Sequence, residues 1–295
     1  MATTTTTVLD WLVQRFPTAK RQTLKRMVEA GRVRVNGRPV ARLKQSIGDA
    51  DRVEVDESAR PPAKSAVAAA GPSDVHVVYE DADLLVVHKP PGLLTSTVPR
   101  EPRPTLLAKV RQYVAAIDPQ ARVGLIHRLD RAASGLLVFS KNNEAYESLK
   151  KQFFEHSVDR VYTAVVEGKP PEAKGRIRSR LTELIDGRVV STQSEDKGQT
   201  AITDYVLLRH EQTPAGPRSL LRVVLQTGRK HQIRAHLSER GTPIVNDPVY
   251  GTTKKPAGRL MLVATSLALA HPRTREQMTF EIPIPKELKD AVIPA

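Results

Sequence analysis

Two short apolar runs, Gly124-Leu125-Ile126 and Leu136-Leu137-Val138-Phe139, enclose a polar insert in which His127, Arg128, Asp130, Arg131 and Ser134 fall within eight residues. The runs are rich in branched and aromatic residues and too short for helices, so they predict buried strands. Joining two strands takes only a small turn, and Gly135 supplies the backbone freedom to re-enter the sheet. A charged loop held between scaffold strands has the make-up of a functional site. Its one carboxylate, Asp130, has the chemistry of a nucleophile or a proton acceptor. A hydrolytic glycosidase would need a second carboxylate, and the loop carries none. Taken alone, the loop also fits a plainer reading, a turn aspartate with solvated arginine neighbours.

The chain holds 46 Lys and Arg against 32 Asp and Glu, a formal charge of +14 with a pI near 10.1. A field of that sign attracts polyanions, and no basic amphipathic stretch with an aromatic face points to a membrane surface, so nucleic acid is the expected partner. The 295 residues are 40% apolar, enough for a sizeable core, and no apolar run reaches the length of a bilayer span. With no cysteine there is neither a disulfide framework nor a thiolate metal site, and no further ligands gather around the histidines, so no metal is expected. The first residues lack a signal-peptide pattern, and a monomeric cytoplasmic protein is the expectation. The absence of glycine-rich nucleotide loops and of an HExxH pattern argues against nucleotide hydrolysis, hydride transfer and zinc hydrolysis.

The elements that must hold such a loop can be read in chain order. Residues 1–7 read as a frayed tail. Val8, Leu9, Leu12, Val13 and Phe16 recur at helical spacing and Pro17 ends that element. Thr18 is placed to cap a second helix, with Leu24, Met27 and Val28 on its apolar face and Lys20, Arg21, Lys25 and Arg26 largely on the other. Arg32-Val33-Arg34-Val35 alternates as a half-buried strand, Asn36-Gly37 is a strong hairpin signal, and a strand at 52–55 closes a small domain over 8–56. Residues 57–74, rich in Pro and Ala, read as a linker. In the domain over 75–295, strands are predicted at 75–79, 84–88, 161–166, 177–184, 201–209, 219–226 and 260–270, and helices at 104–117 and 142–156. Without a repeating strand-helix unit this is an α+β fold, a mostly antiparallel mixed sheet flanked by helices.

HRLDRAASGLLVFSK resembles HRLDxxTSGLLxxAK, the signature of the RluA family of pseudouridine synthases. HKPPGLLTS at 88–96, RVYTAVVEG at 160–168, TGRKHQIRAHL at 227–237 and GTPIVNDPVYG at 241–251 resemble further elements of that family in the same order. RLMLVA and the closing HPRTREQMTFEIPIP carry the likeness nearly to Pro285. The resemblance implies a pseudouridine synthase fold and a cofactor-free isomerisation, in which the bond from uracil N1 to ribose breaks, the base rotates, and C5 rejoins the sugar. The N-terminal unit, around GRVRVNG, resembles the S4-like RNA-binding module.

On this resemblance Asp130 is the catalytic carboxylate, attacking the anomeric carbon or removing a ribose proton to give a glycal, two routes the sequence leaves open. Arg234 is expected against Asp130, bidentate, favouring the ionised form that burial would disfavour. Three residues from His231, it could share a helix face with it. Tyr162 is expected to stack on the uracil, with a hydroxyl able to assist proton removal from C5. Because a stacked base is unreachable, the uridine must be flipped or unpaired, with Arg128 holding it or filling the gap and Leu262 lining its pocket. Arg229 and His231 are further expected substrate contacts. Lys20, Arg21, Lys25, Arg26, Arg32 and Arg34 are expected to touch RNA in the first module. Ala133, Val161, Val263 and Asn246 depart from the family pattern, and Asn246 at a glycine position is tolerable because Asn accepts left-handed geometry. The family's habit points to large-subunit (23S) ribosomal RNA or its precursor particle as substrate. The rivals are a synthase acting on transfer RNA and a non-catalytic ribosome-assembly factor.

Overall fold

The computed structural model describes residues 6–16, 24, 27–28, 33–40, 42, 45–48, 51–55, 75–97, 103–194, 196–253 and 256–294. The chain divides into two compact units, Met1–Ser65 and Ala66–Ala295. The expected linker at 57–74 lies outside the described residues, as do Lys20, Arg21, Lys25, Arg26 and Arg32.

The first unit contains β1 (Thr6–Thr7), α1 (Val8–Arg15), β2 (Val33–Val35), β3 (Arg38–Pro39), β4 (Ser46–Ile47) and β5 (Val53–Val55). Of the expected tail, residues 1–5 lie outside the described residues, while Thr6 and Thr7 pair with Ile47 and Ser46, and the Thr7 hydroxyl accepts the Asp10 amide as the helix cap. A helix start needs such an acceptor for its unpaired amides. Asn36 and Gly37 turn β2 into β3 at φ 53° and 77°, the pair of left-handed residues a tight hairpin requires. Leu9, Leu12, Leu24, Val28 and Val33 share one small core. Arg34 projects to solvent between the buried Val33 and Val35.

The second unit is built on β6 (His76–Glu80), β7 (Leu84–Lys89), β8 (Gly124–Leu125), β9 (Ser134–Ser140), β10 (Asp159–Glu167), β11 (Lys174–Glu183), β12 (Val189–Thr192), β13 (Gln199–Thr213), β14 (Gly216–Leu225), β15 (Leu262–Ala270) and β16 (Gln277–Glu281). They form one sheet in the order β12-β11-β13-β14-β10-β15-β9-β7-β6, with β8 also on β9 and β16 also on β15. Neighbours run antiparallel except β9 and β15, which pair in parallel through Ser134 and Gly135. Its helices are α2 (Leu106–Ile117), α3 (Asn143–Phe154), α4 (Gln232–Glu239) and the short α5 (Lys286–Asp290). Among the described residues no helix is long and apolar enough to cross a membrane.

The unbroken apolar character of β7 and β9 has a direct cause. Leu85, Val87, Leu137 and Phe139 enter the core on one face of the sheet, with α2. Leu84, Val86, Leu136 and Val138 enter a second core with Leu149 of α3 on the other. A strand covered on both faces has no polar side to show. Each of these side chains contributes about 1.5–3 kcal/mol by leaving water. β9 is thus a rigid central strand, and the charged insert hangs from its start. Thr105 and Asn142 cap α2 and α3 by accepting the Ala108 and Ala145 amides.

Candidate active site

Asp130 lies in the irregular segment between β8 and β9, and the backbone on either side of it is pinned. The Thr95 hydroxyl donates to the Leu129 carbonyl at 2.7 Å and accepts the Leu129 amide at 3.2 Å. On the other side the Arg131 carbonyl takes the Gly92 amide at 2.8 Å and Lys89 Nζ at 3.1 Å. Lys89 is fully buried, and its ammonium also donates to the Pro90 and Leu93 carbonyls at 2.9 and 2.8 Å. Burial pulls its pKa down to about 8, while the negative charge of Asp130 acts in the opposite direction. Leu129 and Ala133 plug the loop into the core. Gly135 closes it at φ 118°, where any Cβ would lie 2.3 Å from the Ala264 carbonyl oxygen.

Opposite the loop, α4 presents Arg234. Its guanidinium grips Asp247 with two bonds, Nε at 2.7 Å and Nη2 at 2.8 Å, and reaches Asp130 with Nη1 alone at 3.2 Å. The bidentate partner is therefore Asp247, a correction to the expected fork on Asp130. The reason lies in placement: the Asp247 side chain is fully buried beside Arg234, whereas Asp130 keeps 23% of its side chain exposed at the cavity. Burial alone would raise the Asp247 carboxyl, but Arg234 and the amides of Tyr250 and Val249 outweigh it and hold it below the ordinary value. Asn246 precedes it at φ 61°, the left-handed geometry expected there. His231 does not share the helix face with Arg234; it is the left-handed residue, φ 53°, preceding α4. Its Nδ1 lies 3.0 Å from the Tyr250 hydroxyl.

Tyr162 and Leu262 form the apolar wall. Tyr162 is buried in β10, and burial pushes its phenol up to about 12, with Arg160 pulling down and Asp130 pushing up. β10 and β15 shift register opposite Val161 and Tyr162, and the extra residue, Thr265, lies on β15, while β10 pairs with β14 without a break. His127 accepts the Val138 amide at 3.2 Å and stacks on Phe153 at 4.6 Å. Burial drives its pKa down to about 3, so it is a neutral structural ring.

Asp130, Tyr162, Arg234, Arg128, Leu262, His231 and Arg229 all line one cavity of about 490 Å³. Arg128 stands exposed, and Arg229 is half-buried with Nε donating to the Thr200 carbonyl at 3.1 Å. Asp130 is the only acid among the described lining residues, against six Lys and Arg. One carboxylate thus stands in a basic cleft whose charge would draw in a polyanion. The arrangement lacks the paired carboxylates of glycoside hydrolysis. His236 stays outside the cavity, buried between Thr203 and Ser179. Sequence reasoning missed Lys89, Thr95, Asp247 and Arg160 as parts of the site, although each stands in a segment noted for its resemblance.

Comparison with known proteins gives this architecture its class. Residues 83–239 match the family described as RNA pseudouridylate synthase. A Bacillus subtilis protein named as an uncharacterized RNA pseudouridine synthase, YlyB, is 35% identical over 277 residues, covering 92% of this chain and 88% of that protein. A Neisseria meningitidis protein named ribosomal large subunit pseudouridine synthase D is 31% identical, covering 94% of this chain and 75% of that one. The structure called human RNA pseudouridylate synthase domain containing 1 superposes with a TM-score of 0.59 at 26% identity, covering 73% of this chain and 86% of that one. The chain belongs to the RNA pseudouridylate synthase family. It has the pseudouridine synthase fold and is an isomerase of RNA uridine.

Proposed function

We propose that this synthase acts on large-subunit ribosomal RNA and that Asp130 is the carboxylate that reacts at the ribose. The observation that carries the reading is the lone acid among the described residues of a cavity lined by six cations, its backbone held on both sides and Arg234 Nη1 at 3.2 Å. A carboxylate so placed can attack the anomeric carbon, releasing uracil from N1. After rotation C5 takes over the anomeric carbon, the carboxylate leaves, C5 loses its proton and N1 gains one. Removal of a ribose proton to give a glycal uses the same carboxylate and the same positioning. Nothing is added or lost overall, in keeping with a site that offers one acid. Tyr162 supplies the face on which the uracil stacks, Leu262 closes its pocket, and Arg128, standing exposed beside Asp130, holds the nucleotide out of its helix.

The rRNA reading is supported by relatives named for the ribosomal large subunit, at 31% and 33% identity. The first unit is read as a second RNA contact of the S4-like kind, with Arg34 on its exposed strand face. Carbodiimide mapping with primer extension tests the substrate, on unmodified large-subunit rRNA and on transfer RNA. Enzyme-dependent stops in the rRNA are expected. Stops in transfer RNA alone would overturn the rRNA reading and keep the reaction.

A further inference from the structure

Arg160 lines the cavity two residues before Tyr162 and is only 9% exposed. Among the described residues its guanidinium has no carboxylate and no hydrogen-bond acceptor, and Nε is fully enclosed without a partner. A buried cation without a counter-charge is costly, and proteins keep such a group where something arrives to pair with it. Its nearest support is apolar: Cζ sits 5.5 Å over the Phe153 ring. Burial pulls its pKa down; Tyr162 acts in the opposite direction, and the cation Arg229 adds a smaller pull downward. Gly228, just before Arg229, leaves the approach open, for a Cβ there would lie 2.5 Å from Arg160 Nη1. An anion is the group that would relieve both arginines at once.

Residues two apart on a strand face the same way, roughly 6.5 Å from each other. That matches the reach from the base of a nucleotide to its own phosphate. We propose that Arg160 and Arg229 clamp one backbone phosphate of the target nucleotide while its uracil lies on Tyr162. The assignment rests on the reading of this cavity as the uridine site. It gives the enzyme a hold on the flipped nucleotide that is independent of base identity.

The test is a binding cycle. An rRNA stem-loop carrying a uridine that the wild-type protein isomerises is made with a single neutral methylphosphonate, moved in turn through the phosphates beside that uridine. Affinity is measured with Asp130→Asn, so that no turnover intervenes, with and without Arg160→Gln. One methylphosphonate is expected to weaken binding roughly tenfold, the worth of one charge-assisted contact, and Arg160→Gln to weaken it as much with no further loss when both are combined. Losses that multiply, or no sensitive phosphate beside the uridine, would overturn the clamp. If Arg160→Gln does not fold, the methylphosphonate scan on Asp130→Asn alone decides. Should the wild type isomerise no rRNA, the substrate reading fails, and the same cycle on a transfer-RNA stem-loop that it does isomerise judges the clamp by the same two outcomes.

Discussion

Arg234 closes its fork on Asp247, at 2.7 and 2.8 Å, and turns a single nitrogen toward Asp130 at 3.2 Å. The buried acid aims the arginine, and the arginine aims at the partly exposed acid. Asp247 in turn is held by the amides of Val249 and Tyr250. Asp247→Asn cannot hold the charged fork and leaves a buried guanidinium short of one counter-charge. We expect single-turnover isomerisation to fall by up to about 100-fold, as for a small misplacement of a reacting group. Urea unfolding should show a loss of roughly 3 kcal/mol. An unchanged rate would mean that Arg234 needs no aiming.

Lys89 does for the loop backbone what Asp247 does for Arg234. Its three donors meet three carbonyls, one of them on the residue after Asp130. Lys89→Met keeps the volume and removes the ammonium from all three carbonyls, leaving that of Arg131 with the Gly92 amide alone. The expected result is a marked drop in single-turnover rate with RNA affinity nearly kept, because the residue touches no RNA. A variant with wild-type rate would remove Lys89 from the positioning scheme.

Two glycines of this region should respond differently to alanine. At Gly135 the φ of 118° is compounded by contact with the Ala264 backbone, while at Gly92, φ 84°, a Cβ meets nothing within 4 Å. Gly92→Ala should cost about 1–2 kcal/mol, the strain of a left-handed residue alone. Gly135→Ala should cost on the order of 3 kcal/mol or more, because β9 and β15 must separate. Equal midpoints in urea would contradict the parallel pairing of β9 with β15 at Gly135.

Stability should also fall in mild acid. His236 is fully buried and its pKa is pulled down by burial to about 4, against 6.5 in an unfolded chain. The unfolded chain therefore binds the extra proton across that window, so stability present above pH 6.5 is lost progressively toward pH 4 and levels off below it. The full effect is roughly 3 kcal/mol. Unfolding of the wild type and of His236→Asn across this range checks the sign, since the variant should show a shallower fall.

How much of this was legible beforehand depends on distance along the chain. The insert between β8 and β9, the Asn36-Gly37 turn and the helices α1, α2 and α3 announce themselves through local periodicity and turn chemistry, and the structure has them within a few residues of the expected places. The strands β12 and β16 did not, being four and five residues long and partly exposed. Lys89 read as the start of a proline turn, because nothing local says that its ammonium meets Arg131, 42 residues on. The preference of Arg234 for Asp247 over Asp130 is likewise a matter of which carboxylate the fold buries, and burial of a polar side chain is decided by tertiary packing. Arg160 was hidden for a related reason: its lack of a partner is visible only once its neighbours are known.

The most direct measurement is the isomerisation itself. Wild-type protein and Asp130→Asn are incubated with unmodified large-subunit rRNA, and pseudouridine is mapped by carbodiimide adduct and primer extension alongside a filter-binding affinity. Stops are expected with the wild type, none with Asp130→Asn, and affinities within about threefold of each other, because the amide nearly preserves the shape of the carboxylate but supplies neither a nucleophile nor a base. Turnover by Asp130→Asn near the wild-type rate would contradict Asp130 as the reacting carboxylate.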